Sequence, residues 1–275
     1  MWIKGTKANT TNNSSSVTNL NLLWRSDRLP IYFMDNHLAA AWCWMQECDP
    51  TERYNFIHID RHNDLGPTAP YSCYQHLKDN PRIPIDDYLN IRNPNQTDFD
   101  WPAFTWDNYI NQTIQLFPDW FLKCIYATHR QLDSRERRMN LGCCVIEESL
   151  PFNLPAFLHN TLSVDLFDEI KSSAGGHQIP KWIVNLDLDY LFYTDLDEKN
   201  KRLLTDEFIK EISSVLKLHM DRIAVLTVAL SPECCGGWEQ ALDAAFVFIQ
   251  NESFIEECEE FIDDTNLFPS RRKDV

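Results

Sequence analysis

Short apolar runs bounded by turn-forming or charged residues constrain the fold of this chain most strongly. They are rich in Ile, Val, Phe, Tyr and Leu, as is typical of strands buried on both faces of a sheet. Four are clear: LPIYFM (29–34), YNFIHI (54–59), KWIVNLDL (181–188) and RIAVLTVAL (222–230). A fifth, CCVIEE (143–148), is weaker. We therefore predict four buried strands and a less certain fifth.

Between these runs, apolar residues recur at helical spacing. This pattern predicts helices over 37–48, 205–220 and 238–250, and Asp206 and Glu207 complement the dipole of the second. Strands that alternate with helices in this way indicate an α/β fold, a three-layer α/β/α domain with a mainly parallel central sheet. In such folds ligands bind beyond the carboxyl ends of the strands.

The remaining segments suggest one domain with additions. Residues 5–21 are mostly Thr, Asn, Ser, Lys and Gly, so we predict a flexible N-terminal arm over 1–21 and a single catalytic domain over 22–275. An alternative is that the arm orders when a partner or a second subunit binds. Residues 66–140 fit the alternation poorly and are interpreted as insertions that shape a pocket. The acidic stretch 252–264 is interpreted as a solvated helix face.

The charge limits the classes of partner. The net charge is −16, with 25 basic and 41 acidic residues, which argues against nucleic acid or an anionic membrane as a partner. A cationic substrate or peptide would be attracted, although simple solubility explains the same charge.

The cysteine content and the absence of a membrane-length apolar segment bear on the cellular compartment of the protein. Nine cysteines, with two adjacent pairs, suit neither a disulfide framework nor a CxxC zinc site, and we expect reduced thiols. With no signal-peptide pattern and no long apolar run, we expect a cytoplasmic protein, and a homo-oligomer stays an open alternative to a monomer.

Two acidic motifs follow predicted strands. Asp60, His62 and Asp64 are spaced two apart just after one strand, and Asp187 and Asp189 repeat the spacing after another. Side chains at that spacing project to one side of an extended chain, so they can converge on one point. Aspartates at strand ends often cap turns instead, which is the simpler reading of either motif alone.

Together the two motifs favour a metal site. Carboxylates at the mouth of a buried sheet are costly to desolvate unless a cation compensates them. Mixed Asp and His ligands favour Mn²⁺ or a comparable ion over structural zinc, which would recruit thiolates. Four aspartates and a histidine are more ligands than one ion needs, so we predict two ions bridged by aspartate.

At this point the sequence resembles the ureohydrolase superfamily, the arginase and agmatinase fold, in which DxHxD and DxD segments at strand ends bind two manganese ions. That family has a further histidine after the preceding strand, and LPIYFMDNH ends in His37. The resemblance implies that Asp60 and Asp187 bridge the two Mn²⁺ ions. It implies two ligand sets: His37, Asp60, Asp64 and Asp187 for one ion, and His62, Asp60, Asp187 and Asp189 for the other.

Two more residues match by order and approximate spacing. His76 falls where arginases carry a proton-relaying histidine at the pocket mouth, and it could equally be an ordinary surface histidine. Glu233 falls where arginases carry the acid that pairs with the guanidinium, and it could equally support the helix that follows. Asp64 would carry the proton from the activated water to the leaving amine.

Departures from the family narrow the expected substrate. Asn185 replaces the Ser that precedes the DxD motif of ordinary arginases, and the loop after Asp64 lacks the Asn and Ser pattern that holds a free α-carboxylate and α-amine. In this respect the chain resembles the peptide arginases of ribosomal-peptide maturation. The resemblance implies an arginine-containing precursor peptide as partner, hydrolysed at the guanidinium to ornithine and urea. Alternatives are a ureohydrolase acting on free arginine or agmatine, or a non-catalytic metal- or peptide-binding module.

Overall fold

The computed structural model describes most of the chain. It covers residues 1–5, 19–95, 101–129, 144–148, 153–163, 180–196 and 199–250, with residues 254, 256, 258, 260 and 261 beyond them. For residues 144–148 only the backbone is described.

An eight-stranded sheet forms the centre of the protein, and six of its strands run parallel. Its order is β1-β2-β3-β10-β7-β4-β5-β6, and the two antiparallel pairs are β1 with β2 and β2 with β3. The strands of this sheet are β1 (Trp2–Lys4), β2 (Leu23–Arg25), β3 (Ile31–Met34), β4 (Tyr54–Asp60), β5 (Phe121–Thr128), β6 (Cys144–Glu148), β7 (Trp182–Asp187) and β10 (Ile223–Ala229). A separate hairpin pairs β8 (Phe192–Thr194) with β9 (Asn200–Arg202).

Helices cover both faces of the sheet. The α-helices are α1 (Ala40–Glu47), α2 (Ile85–Leu89), α3 (Tyr109–Leu116), α4 (Leu154–Ser163), α5 (Asp206–Leu218), α6 (Pro232–Cys235) and α7 (Trp238–Gln250). One buried cluster joins the sheet to α4, α5 and α7, and a second joins the opposite face to α1 and α3. Because strand residues alternate between these two clusters, the predicted three-layer α/β/α fold with a mainly parallel sheet is confirmed.

The four clear strands form as β3, β4, β7 and β10, and the weaker one forms as β6. The strand β5 was not predicted. Its sequence FLKCIYAT lies within residues 66–140, which were interpreted as insertions. Lys123 interrupts the apolar run, and this lysine is nonetheless buried, with its Nζ 5.9 Å from the centre of the Trp182 ring. A long side chain that packs its methylenes against an indole can occupy a buried strand position, which a reading by hydrophobicity does not anticipate.

The prediction of a flexible arm over 1–21 is wrong for its two ends. Trp2–Lys4 pairs with β2, and the Trp2 ring packs against Phe261 with ring centres 5.8 Å apart. At the other end, the buried Asp35 carboxylate accepts hydrogen bonds from the backbone amides of Asn21 and Leu22. An aromatic contact and a buried carboxylate stabilise these ends despite the polar composition. Residues 6–18, to which the prediction also applies, lie outside the described part.

The acidic stretch near the C-terminus has an apolar side. Of residues 252–264, five are described, and among them Phe254, Cys258 and Phe261 are buried in the core whereas Glu256 and Glu260 are exposed. The interpretation as a solvated face therefore holds only for the glutamates.

Two further findings concern the whole described chain. None of its helices is long and apolar enough to cross a membrane. The seven cysteines whose side chains are described are all free thiols.

Candidate metal centre

The carboxyl ends of three parallel strands bring the predicted ligands to one edge of the sheet. Asp60 is the last residue of β4 and Asp187 is the last residue of β7. These strands are neighbours, and Ile59 pairs with Leu186, so the two aspartates emerge side by side. His37 begins a 3-10 helix (His37–Ala39) just after β3. The Asn36 side chain caps the N-terminus of this helix.

His37 faces a group of buried carboxylates. Its Nδ1 lies 2.9 Å from Asp64 Oδ2 and 3.6 Å from Asp187 Oδ2. Asp60 Oδ2 is 3.7 Å from the same nitrogen. All four side chains are buried. One atom from each of His37, Asp60 and Asp187 lies within 4.8 Å of the others, which is compatible with a shared cation.

His62 faces a second group that shares Asp60. Its Nδ1 lies 3.0 Å from Asp189 Oδ2 and 3.4 Å from Asp60 Oδ1. The His62 side chain is 51% exposed, whereas both carboxylates are buried. This side of the centre is therefore open to solvent, and the His37 side is enclosed.

The aspartates cap turns as well as facing one another. Asp60 Oδ1 accepts a hydrogen bond from the His62 amide at 2.6 Å, and Asp187 Oδ1 accepts one from the Asp189 amide at 2.9 Å. Each bond stabilises the turn that follows a strand, so the capping reading of these residues is correct for one oxygen of each.

The other oxygens are the ones that indicate a cation. Asp60 Oδ2 is buried and has no hydrogen-bond partner among the described residues. Asp189 Oδ2 is also buried, and it faces His62 Nδ1 at 3.0 Å. A buried carboxylate oxygen without a donor is costly, and that of Asp60 lies among further carboxylates and imidazoles. An oxygen-rich set with imidazole nitrogens suits a hard or borderline divalent ion such as Mn²⁺, so the residues present fit a metal centre.

The pKa values reflect the crowding of negative charge. Burial, followed by the charges of Asp64 and Asp189, raises the pKa of Asp60 well above its usual range. Burial and the charge of Asp189 raise the pKa of Asp187 to about 7. The chain thus holds in one place more carboxylates than its own cations neutralise.

The pKa values of two other carboxylates, Asp64 and Asp189, are lowered. Burial opposes the ionisation of Asp64, but the hydrogen bond and charge of His37 outweigh it and lower the pKa of Asp64. Asp189 shows the same balance, with His62 lowering its pKa against burial. Each imidazole therefore stabilises one ionised carboxylate.

Residues missed by sequence reasoning complete the centre. His58 is fully buried, and with Asp60 and Asp64 it forms a third group of possible ligand atoms. Burial lowers the pKa of His58 to about 4, so its imidazole is neutral. Tyr109, from α3, donates its hydroxyl to Asp64 Oδ2 at 3.0 Å. The position of His58 two residues before Asp60 was a usable signal, because both lie on one face of the strand.

His76 and Glu233, the two predicted residues outside the ligand set, are exposed on short helices. His76 is exposed in a 3-10 helix (Gln75–Lys78), and its side chain makes no hydrogen bond or ion pair with the residues described. Glu233 is exposed on α6, directly after the turn in which Ser231 Oγ donates to Asp187 Oδ2 at 2.6 Å. The geometry thus places the turn that carries Glu233 beside the centre.

Comparisons with known proteins give distant structural similarities. No protein-family model matches the sequence, and no curated protein matches it. Proclavaminate amidino hydrolase from Streptomyces clavuligerus aligns with 82% of this chain at 9% identity and a TM-score of 0.47, and the chain covers 62% of its length. Arginase from Bacillus caldovelox aligns at 12% identity and a TM-score of 0.48, covering 82% of this chain and 69% of that one. Arginase from Bacillus cereus aligns at 14% identity and a TM-score of 0.46, covering 82% and 71%. At this distance the similarities assign no activity.

Proposed function

We propose that this protein is a metal-dependent hydrolase that cleaves the guanidinium of arginine within a peptide, releasing urea and leaving ornithine. One observation supports this most directly: two ligand groups, one around His37 and one around His62, share Asp60 at the edge of a parallel sheet. Two adjacent cation sites joined by a carboxylate suit hydrolytic chemistry.

The proposed ligand assignment takes its two groups, His37 with Asp60 and Asp187 and His62 with Asp60 and Asp189, from the structure, and the second role of Asp187 from the resemblance to ureohydrolases. His37, Asp60, Asp64 and Asp187 would hold one Mn²⁺, and His62, Asp60, Asp187 and Asp189 would hold the other. His37 Nδ1 and His62 Nδ1 are the imidazole atoms that face the carboxylates, so each would bind through Nδ1. The aspartates at the ends of β4 and β7 would belong to both sets.

Two divalent ions at these positions would supply an activated water at neutral pH. Asp64 is suited to carry its proton to the leaving nitrogen, because the residue is enclosed and its Oδ2 is held by Tyr109. The Glu233 carboxylate would pair with the guanidinium, and the exposed His76 would exchange protons with solvent. The reaction consumes one water and gives urea and an ornithine side chain.

A peptide is the proposed substrate because the loop after Asp64 lacks the Asn and Ser pattern with which free-arginine enzymes hold the α-carboxylate and α-amine. Leu65–Pro70 offers apolar and proline side chains, and its backbone is tied to the 101–108 segment by Gly66, whose amide donates to the carbonyl of Asp107 at 2.6 Å. The net charge of −16 would favour encounter with a cationic precursor peptide in the cytoplasm.

Mass spectrometry of arginine-containing peptides tests the proposal. With Mn²⁺, each processed arginine should lose about 42 Da, the CN₂H₂ unit that metal-assisted hydrolysis removes. A urea assay on free arginine and agmatine runs in parallel, with metal-free protein and Asp189→Asn as controls. Urea from the small molecules alone would replace the peptide substrate with a free amine, and no hydrolysis by metal-loaded protein would favour a binding module.

A further inference from the structure

Polar residues on three neighbouring strands form a row beneath the metal centre. Thr227 on β10 pairs in register with Asn185 on β7, and Asn185 pairs with His58 on β4. All three are fully buried and lie on the face covered by α1 and α3. Such a row is unusual in the middle of a buried parallel sheet, where apolar residues are typical.

The orientation of each group in the row follows from one donor. Trp44 Nε1 on α1 lies 3.2 Å from Thr227 Oγ1, and an indole nitrogen can only donate. The threonine oxygen accepts this bond. Two acceptors lie within reach of its own hydrogen, Asn185 Oδ1 at 2.7 Å and the Val184 carbonyl at 3.5 Å, and we take the much shorter contact as the hydrogen bond. The amide oxygen of Asn185 therefore faces Thr227, and its NH₂ group faces the imidazoles.

The amide then selects the tautomer of His58. Asn185 Nδ2 makes its two shortest contacts, both 3.0 Å, with His58 Nδ1 and Tyr109 Oη. Because an amide nitrogen only donates, His58 Nδ1 must be the acceptor, and the ring proton must lie on Nε2. His37 Nε2 is farther from the amide nitrogen, at 3.3 Å.

We propose that His58 is a positioning residue that directs Nε2–H at Asp60 Oδ2 and does not bind metal itself. The two atoms are 3.6 Å apart, longer than a hydrogen bond, and each is buried without a hydrogen-bond partner among the described residues. A small rotation of the imidazole would close this contact and orient the carboxylate that both proposed ion sites share. Outer-layer donors of this kind commonly change metal affinity by about 10- to 100-fold. The effect on metal binding rests on the proposed function, but the tautomer does not.

The first experiment observes the tautomer directly. NMR of ¹⁵N-histidine-labelled, metal-free protein should show His58 as the neutral Nε2–H tautomer, and His58→Gln identifies its signals. A neutral Nδ1–H tautomer, or a protonated ring, would overturn the assignment. This measurement is independent of whether the protein hydrolyses anything.

The second experiment separates the N–H group from the shape of the ring. In His58→Gln the side-chain amide can place an N–H near the position of Nε2, whereas His58→Phe keeps a planar ring without a donor. Calorimetric titration with Mn²⁺ should show a Kd within a few-fold of wild type for His58→Gln and about 10- to 100-fold weaker for His58→Phe.

The outcomes separate this inference from the proposed function. Equal affinities for both variants and the wild type would overturn the positioning role, as would equal losses in both. If the variants fail to fold, the tautomer in the wild-type protein still decides, with the His58 signals assigned by triple-resonance NMR. Metal binding that follows the expected order without guanidinium hydrolysis would contradict the proposed function and leave this inference standing.

Discussion

Tyr109 donates its hydroxyl to Asp64 Oδ2 at 3.0 Å, which joins α3 to the acidic motif at the end of β4. The bond crosses 45 residues of sequence, and Tyr109 is fully buried. Because the same oxygen lies 2.9 Å from His37 Nδ1, the hydroxyl helps to set the position of a residue proposed to carry a proton.

Tyr109→Phe removes this bond and also the oxygen that accepts a hydrogen bond from Asn185 Nδ2 at 3.0 Å. On the proposed function we expect kcat to fall by about 10-fold, a loss that corresponds to one hydrogen bond to a charged group, with KM little changed. Steady-state kinetics at saturating Mn²⁺ measures both. Tyr88→Phe is the matched control, because Tyr88 is also buried and its hydroxyl has no hydrogen-bond partner among the described residues. Equal effects from the two variants would argue against a role for the bond to Asp64.

Asp60→Asn should separate folding stability from metal binding. Without metal, Asp60 is one of several buried like charges, and its raised pKa reflects that cost, so the neutral amide should raise the melting temperature of the metal-free protein. The variant should lose the stabilisation by Mn²⁺, about 2.7 kcal/mol at 100 times the Kd for a one-site ligand. Thermal unfolding with and without Mn²⁺ measures both effects.

Asp119→Asn is the control for that comparison, since Asp119 is exposed and the charge change is the same. It should leave the Mn²⁺-dependent shift intact. A metal-free Asp60→Asn protein that melts well below wild type would show that Asp60 contributes to folding without a cation, and the view that the site is strained when empty of metal would be wrong.

The residues at the strand ends could be predicted from the sequence because their signals are local. Contacts between different strands could not be predicted in this way. The spacing of Asp60, His62 and Asp64 identifies the segment, but the chain turns after Asp60, and His62 and Asp64 lie in different groups. His58 and Asn185 lie in the same two segments, but their roles depend on the register between β4 and β7. Tyr109 comes from a helix more than 40 residues away, and no local pattern relates it to Asp64.

Ser231 allows the backbone and the side chain to be tested separately. Its φ of +42° lies in the left-handed region, and its Oγ donates to Asp187 Oδ2 at 2.6 Å. Ser231→Gly should be about 1 kcal/mol more stable than Ser231→Ala, because both lose the hydroxyl and only glycine relieves the backbone. Both Ser231→Gly and Ser231→Ala should weaken Mn²⁺ binding by about 10-fold, because neither can orient Asp187. Calorimetry that gives wild-type affinity for either variant would exclude this role of the hydroxyl.

Trp2 tests whether the N-terminal strand belongs to the folded core. Its ring packs against Phe261 and the cluster beneath β2 and β3, although Trp2 itself is half-buried. Trp2→Ala should lower the free energy of unfolding by about 1–3 kcal/mol, less than a fully buried tryptophan would cost. Lys4→Ala, in the same strand, removes only an ion pair to the exposed Asp86 and should cost less than about 1 kcal/mol. Urea unfolding followed by circular dichroism compares the two. If both variants unfold at the wild-type urea concentration, the contacts of β1 contribute nothing to stability.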